Sequence, residues 1–326
     1  MKKLIAVAAI AALTLTGCAT QEPTTVRIAT HDSFVISDEL IAEFETTSGY
    51  ELEIVRLGDT GSLANQLVLT KNAPIADAFF GIDNTTISVA SENDLLDSEP
   101  ATIDFSDVCF NYDIAWFEEN SITPPTSWRE LGEERYAGLT VISNPGLSSP
   151  ALAFLATTHA GFETEAEVFA YWRSLRDNGL KVVGGWEDAY FIDFTRYGGN
   201  YPIVLSYASS PAAEVNEDGT AGSASLLDEC FRQVEYAGVL KKAANKKGAE
   251  ALVDFLTGDS FQKSVPEAMY VYPASSLYQE GDWAAIAVPA AWAEFAPPAR
   301  STIGGDLDFV TNRERWITDW SDVFDN

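Results

Sequence analysis

Asp77-Ala78-Phe79-Phe80 reads as a buried strand that ends in the glycine-bearing turn Gly81-Ile82-Asp83-Asn84. The segments before it alternate. Val26-Arg27-Ile28-Ala29 is strand-like, and a helix follows with Leu40, Ile41 and Phe44 on one face and Ser48-Gly49 as its stop. Leu52 and Ile54 alternate with Glu51 and Glu53 in a second strand. A Gly-rich turn, Gly58-Asp59-Thr60-Gly61-Ser62, then leads into a helix carrying Leu63 and Leu67. Such strand–helix alternation predicts an α/β fold with a mainly parallel sheet.

The pattern restarts in the middle of the chain. Leu139-Thr140-Val141-Ile142 is strand-like, and Ser148-Ser149-Pro150 opens a helix through Phe154 and Leu155. An amphipathic helix follows around Val168, Trp172 and Leu175, then strands at Lys181-Val182-Val183, Ile203 to Tyr207 and Cys230 to Tyr236. A helix carries Leu252, Val253 and Leu256, and the last helix sets Trp316 and Trp320 on one face, as core residues. Two α/β units imply a cleft where strand carboxyl ends face a ligand.

Ahead of these units stands a leader. Lys2 and Lys3 precede an apolar run from Leu4 to Leu15, too short to span a bilayer, and Leu15-Thr16-Gly17-Cys18 closes it. That ending resembles a bacterial lipobox. It implies a signal peptide over 1–17, lipidation of Cys18 and a tether over 18–25, and so an extracytoplasmic protein anchored to the cell membrane. The alternative is an ordinary signal peptide with an incidental cysteine.

Forty-nine acids stand against 20 bases, a formal charge of -29, which disfavours nucleic acid as a partner. A negative field favours a cationic ligand, though solubility explains it equally well. The one basic cluster, Lys241-Lys242 with Lys246-Lys247, reads as a solvated helix start. Cys109 and Cys230 both fall in strand-like runs, and an oxidising exterior permits a disulfide between them; buried free thiols are the alternative. Two histidines and these cysteines, none at ligand spacing, argue against a structural zinc site, and no metal is expected.

Signals for catalysis are weak. His31-Asp32-Ser33 holds three triad residue types, but adjacent residues do not form the relay, which needs groups from separate segments. His159 reads as a surface residue near a helix end. No nucleophile elbow, zinc-protease motif or phosphate-cradling loop appears, and no cofactor is expected. Binding signals are better. Trp186, Tyr190, Tyr207, Tyr270 and Tyr272 sit at strand ends and loops, where an aromatic serves either the core or a ligand. Ser148-Ser149-Pro150 and Ser209-Ser210-Pro211 each resemble a helix start, able to cap the helix or to receive a hydroxyl or phosphate.

In order, Thr30-His31-Asp32-Ser33-Phe34, Gly58-Asp59 with Ser62-Leu63, Gly81-Ile82-Asp83-Asn84 and Asn144-Pro145 through Ser148-Ser149-Pro150 form the first half of a distinctive set. Gly185-Trp186-Glu187-Asp188-Ala189-Tyr190, Leu205-Ser206-Tyr207 with Ser209-Ser210-Pro211-Ala212, and Met269-Tyr270-Val271-Tyr272-Pro273 complete it. The ordered set resembles the thiamine-binding proteins of bacterial ABC importers across nearly the whole mature chain. The resemblance implies a type II periplasmic-binding-protein fold with two lobes, 26–108 with 237–272 and 109–236 with 273–326. It implies a monomer that captures thiamine, often also its phosphates, and delivers it to a membrane permease without chemistry.

Carried over, it places Asp59, Ser148, Trp186 and Tyr207 in the pocket; His31 stands where the family has a tyrosine, and Tyr270 where it has a tryptophan. A further family tyrosine is replaced by Ala213. Asp83, Ser149 and Tyr190 complete the expected site. Aromatic faces attract the thiazolium cation, Asp59 or Asp83 balances its charge, and serine hydroxyls or helix N-terminal amides take the hydroxyethyl or phosphate end. Three other readings stand beside this one, the last being a purely structural lipoprotein. The first is a binding protein of the same fold for a polyamine, ferric ion, sulfate or sugar. The second is a thiamine-degrading enzyme with Cys109 or Cys230 as nucleophile.

Overall fold

The computed structural model describes residues 24–274 and 294–325. The leader, Cys18 and most of the tether lie outside the described residues, as does 275–293. Strand β1 (Thr25–Thr30) pairs in parallel with β2 (Glu51–Arg56) on one side and β3 (Ala78–Asp83) on the other. Helix α1 (Asp38–Ser48) links β1 to β2. Ser37 caps it by accepting the Leu40 N–H, and Gly49 stops it in the left-handed region. Helix α2 (Thr60–Thr70) links β2 to β3, with Asp59 as its N-cap.

Every residue of β3 is buried, and the reason is its two-sided packing. Phe80 joins Val26, Ile28, Phe44, Leu252 and Phe261 on one face. Phe79 joins Leu63, Leu67 and Ile82 on the other. Successive strand side chains point to opposite faces, so an unbroken apolar run is what a doubly covered strand requires.

The second unit repeats the plan. Strand β5 (Thr140–Ser143) runs parallel to β6 (Lys181–Val183) and β7 (Ile203–Tyr207). Helices α5 (Ser149–Gly161) and α6 (Glu165–Asp177) lie between β5 and β6. Phe110, Trp128, Phe154 and Trp172 form its core, together with Trp316 and Trp320 from the last helix, α9 (Phe309–Asp325). Helix α3 (Ile87–Glu92) follows β3, and α4 (Ile114–Asn120) follows the long strand β4 (Ala101–Asp113).

The expectation of a mainly parallel sheet holds within each unit and fails between them. Strand β4 crosses from the first unit to the second, and β9 (Phe231–Val239) crosses back. Successive crossings must run in opposite directions, so β4 and β9 pair antiparallel. The strand order is β2-β1-β3-β9-β4-β7-β5-β6, one continuous sheet with the two parallel parts at its ends. Strand β8 (Ser223–Ser225) also pairs with β4. From β9 the chain re-enters the first unit through α7 (Lys246–Leu256) and α8 (Asp259–Met269), and β10 (Tyr272–Pro273) lies against β4.

Cys109 in β4 and Cys230 just before β9 lie beside the crossing, with sulfurs 2.03 Å and Cα atoms 5.0 Å apart. His159 sits in the last turn of α5, as its place near a helix end implies, but is half-buried rather than on the surface. Its ring stacks on Trp316 at 4.6 Å, and burial lowers its pKa to about 4.

Candidate ligand-binding cleft

Three adjoining cavities lie where strand carboxyl ends of the two units converge. The largest, about 280 Å³, has a polar and acidic wall that includes Asp32, Ser33, Asp59, Glu187 and Asp188. The second, about 40 Å³, is lined by His31, Asp59, Tyr207 and Glu235 among others. A third, about 150 Å³, is an aromatic box of Trp186, Tyr190, Phe191, Tyr197, Tyr207 and Tyr270. Trp186 lines all three.

Local backbone explains how Trp186 comes to stand there. Strand β6 ends at Gly184-Gly185, and a π-helical turn over Asp188–Asp193 follows. The turn sets Tyr190 under the indole, centroids 4.9 Å apart and planes 21° from parallel. Tyr207, at the end of β7, flanks the same indole at 5.8 Å. Trp186 Nε1 donates to Ser206 Oγ at 3.0 Å, which fixes the ring. Tyr190 hydroxyl donates to the Glu214 carboxylate, and burial followed by that negative charge pushes the phenol pKa well up. Tyr270 enters from the first unit. It ends α8 in the left-handed region, φ 55°, with its side chain against the box.

His31 forms the floor. Its ring packs against Gly81, whose φ of +94° keeps the backbone close; a Cβ there would lie 2.0 Å from His31 Cδ2. Ser33 Oγ lies 3.1 Å from Nδ1, and Glu235 Oε1 lies 3.4 Å from Nε2. Burial pulls the imidazole pKa down, but the Glu235 carboxylate, with Asp59 and Asp32, outweighs it and the net shift is upward. Asp104 faces Glu235 across the β4–β9 pair. Burial and then the Glu235 charge raise the Asp104 pKa well above its ordinary value, while the facing His31 outweighs burial and lowers that of Glu235.

Asp59 joins the two units. Its Oδ1 accepts the Thr60 N–H at 2.7 Å and its Oδ2 accepts the Trp186 N–H at 2.9 Å. Beside it, the Gly61 and Ser62 amides donate to the Leu147 carbonyl at 2.9 and 3.3 Å.

The structure therefore brings His31, Asp59, Trp186, Tyr190, Tyr207 and Tyr270 together around one cleft. Asp83, Ser148 and Ser149 stand behind that lining, fully or almost fully buried. Ser148 takes a hydrogen bond from Ser143 Oγ at 2.7 Å and makes no side-chain cap on α5. Glu235, Met269, Phe191 and Tyr197 are lining residues that the sequence reading did not single out. The aromatic run from Trp186 to Tyr197 held a signal for two of them. Glu235 looked like an ordinary polar residue of an alternating strand. Among the described residues no group of three or more His, Cys, Asp or Glu is placed to hold a metal ion.

Asp83 yields a pH prediction. Its Oδ1 accepts from the Thr85 amide and from the Thr85 and Thr86 hydroxyls, yet burial prevails and lifts its pKa to about 6. Between the unfolded value of 3.8 and about 6 the native state binds more protons, so this group's contribution falls as pH rises and levels off above 6. Asp83→Asn does not titrate. The stability of the variant relative to the parent therefore rises by about 2–3 kcal/mol from pH 4 to pH 7 in urea unfolding. A difference independent of pH would overturn this reading.

Two α/β lobes with a ligand-sized cleft at their strand ends define a solute receptor of the type II periplasmic-binding-protein fold. The chain belongs to the bacterial extracellular solute-binding protein family, whose model matches residues 78–295. A thiamine-binding periplasmic protein of Brucella suis is 28% identical to it, over 93% of this chain and 92% of that one. The protein of the same name from Escherichia coli is 25% identical, with 85% of each chain covered. A solved periplasmic thiamin binding protein superposes with a TM-score of 0.76 at 24% identity, over 92% of this chain and 96% of that one. A periplasmic binding protein of Actinobacillus pleuropneumoniae, with fructose-6-phosphate bound, superposes at 0.74 and 18% identity, over 92% and 98% of the two chains. The relatives are solute-binding proteins.

Proposed function

We propose that this chain captures thiamine outside the cytoplasmic membrane, held there by lipid on Cys18, and delivers it to an ABC permease without altering it. The observation that carries the reading is the aromatic box around Trp186 opening onto a wall of carboxylates. A flat cation meets ring faces on one side and negative charge on the other. The names of the full-length relatives support the same ligand. A carrier also fits the cysteines better than a nucleophile does, since Cys109 and Cys230 are buried and face each other.

The acidic wall favours one further ligand, a polyamine. Titration calorimetry with thiamine, spermidine and sulfate separates the readings. Saturable heat with thiamine at micromolar concentration or below, and unchanged thiamine recovered afterwards, is the expected result. Heat with spermidine alone would move the assignment to the polyamine, and recovery of cleaved thiamine would make the protein an enzyme.

A further inference from the structure

We propose that Asp32, Glu187 and Asp188, acting with Asp59, make the cleft select unphosphorylated thiamine and reject its phosphate esters; this rests on the thiamine reading above. In either orientation the ligand's phosphate would meet these same walls. Acids line two of the three cavities, and among the described residues no Lys or Arg lines any of them. Among the described residues His31 is the one base on these walls, and Glu235 already pairs with it. The stretch 275–293, outside the described residues, contains no Lys, Arg or His to add.

Several groups near the cleft that could hold an anion are engaged elsewhere. At the start of α2, the Thr60 amide is taken by Asp59, and the Gly61 and Ser62 amides by the Leu147 carbonyl. Ser209 Oγ donates to the Tyr270 carbonyl at 2.5 Å, and Ser210 Oγ accepts the Tyr207 N–H at 3.2 Å. Ser148 and Ser149, at the start of α5, are buried away from the cavities. Arg56, at the end of β2, turns its guanidinium to the carbonyls of Asp32 and Phe34.

Crowding of like charge is already felt by Glu187. Burial first, then Asp32, Asp59 and Asp188, push its pKa upward. A phosphate ester adds a charge of about −1.5 to −2 to such a wall with no cation to receive it. The thiazolium and any amine of the free vitamin are favoured by the same wall.

The test is calorimetry of the full chain in detergent, freed of carried-over ligand, with thiamine, thiamine monophosphate and thiamine pyrophosphate. The monophosphate binds at least about tenfold more weakly than thiamine, and the pyrophosphate more weakly still. Raising salt from roughly 20 to roughly 500 mM narrows the gap, because surface-accessible charges are screened. Glu187→Gln with Asp188→Asn brings the monophosphate to within about threefold of thiamine. Monophosphate binding equal to or tighter than thiamine in the parent overturns the selectivity and leaves the thiamine reading standing. A gap unmoved by both salt and the double variant overturns the electrostatic assignment. Failure of all three ligands to bind removes the thiamine reading and this inference with it.

Discussion

Trp186→Ala lowers thiamine affinity by at least about fiftyfold, the sum of a lost cation–π face and the apolar contact the indole supplies. Among the described residues no other side chain lines all three cavities, so its removal is felt wherever the ligand's rings lie. The indole is half-buried and rests on Tyr190 and Tyr207 at the edge of a core that also contains Val141, Phe194 and Val204. That core stays intact without it. The melting temperature of the empty variant therefore falls by no more than about 4 °C, as expected for a loss near 1–2 kcal/mol in a chain of this size. Trp186→Phe retains a ring and recovers part of the affinity. Titration and ligand-free melting on the same two variants decide the matter. An alanine variant that melts far lower yet binds normally would make Trp186 a core residue and nothing more.

The largest stability effect is expected at Gly81→Ala, about 3–5 kcal/mol in urea unfolding. Two costs add. The backbone there has φ +94°, a conformation that residues with a Cβ resist. The new methyl would also meet the His31 ring, 2.0 Å from Cδ2 and 2.7 Å from Nε2. That ring has little freedom to retreat, held by Phe80 behind it, Ser33 at one nitrogen and Glu235 at the other. The double variant Gly81→Ala with His31→Ala separates the costs. Relieving the clash makes the second substitution less harmful in the Gly81→Ala background than alone. A loss below about 1 kcal/mol for Gly81→Ala would show that the floor gives way easily.

Much of this is legible in the sequence. Apolar runs and turn residues located β1, β3 and β7, because a strand covered on both faces has few other ways to be written. Leu63 and Leu67 announced the buried side of α2, and the four-residue spacing of Trp316 and Trp320 that of α9. The antiparallel crossing of β4 and β9 was not legible, since register between segments more than a hundred residues apart leaves no local trace. With that register hidden, the meeting of Glu235 with His31 and Asp104 was hidden too. The serines of Ser148-Ser149-Pro150 misled for a related reason. A helix start looks the same in sequence whether it opens on a ligand or lies packed inside, and α5 is buried along nearly its whole length.

Asp59 answers to two claims at once. The oxygen that receives the Trp186 amide helps to clasp the halves of the receptor, and the same carboxylate borders the space where the proposed cationic ligand would sit. A bound cation and a closed clasp therefore compete for one charge whenever they draw it in different directions, and reinforce each other when they draw it the same way. Closure also draws on the Leu147 carbonyl that the Gly61 and Ser62 amides hold, but only the Asp59 bond is shared with the ligand space, so prising it open would also loosen the grip on the proposed ligand.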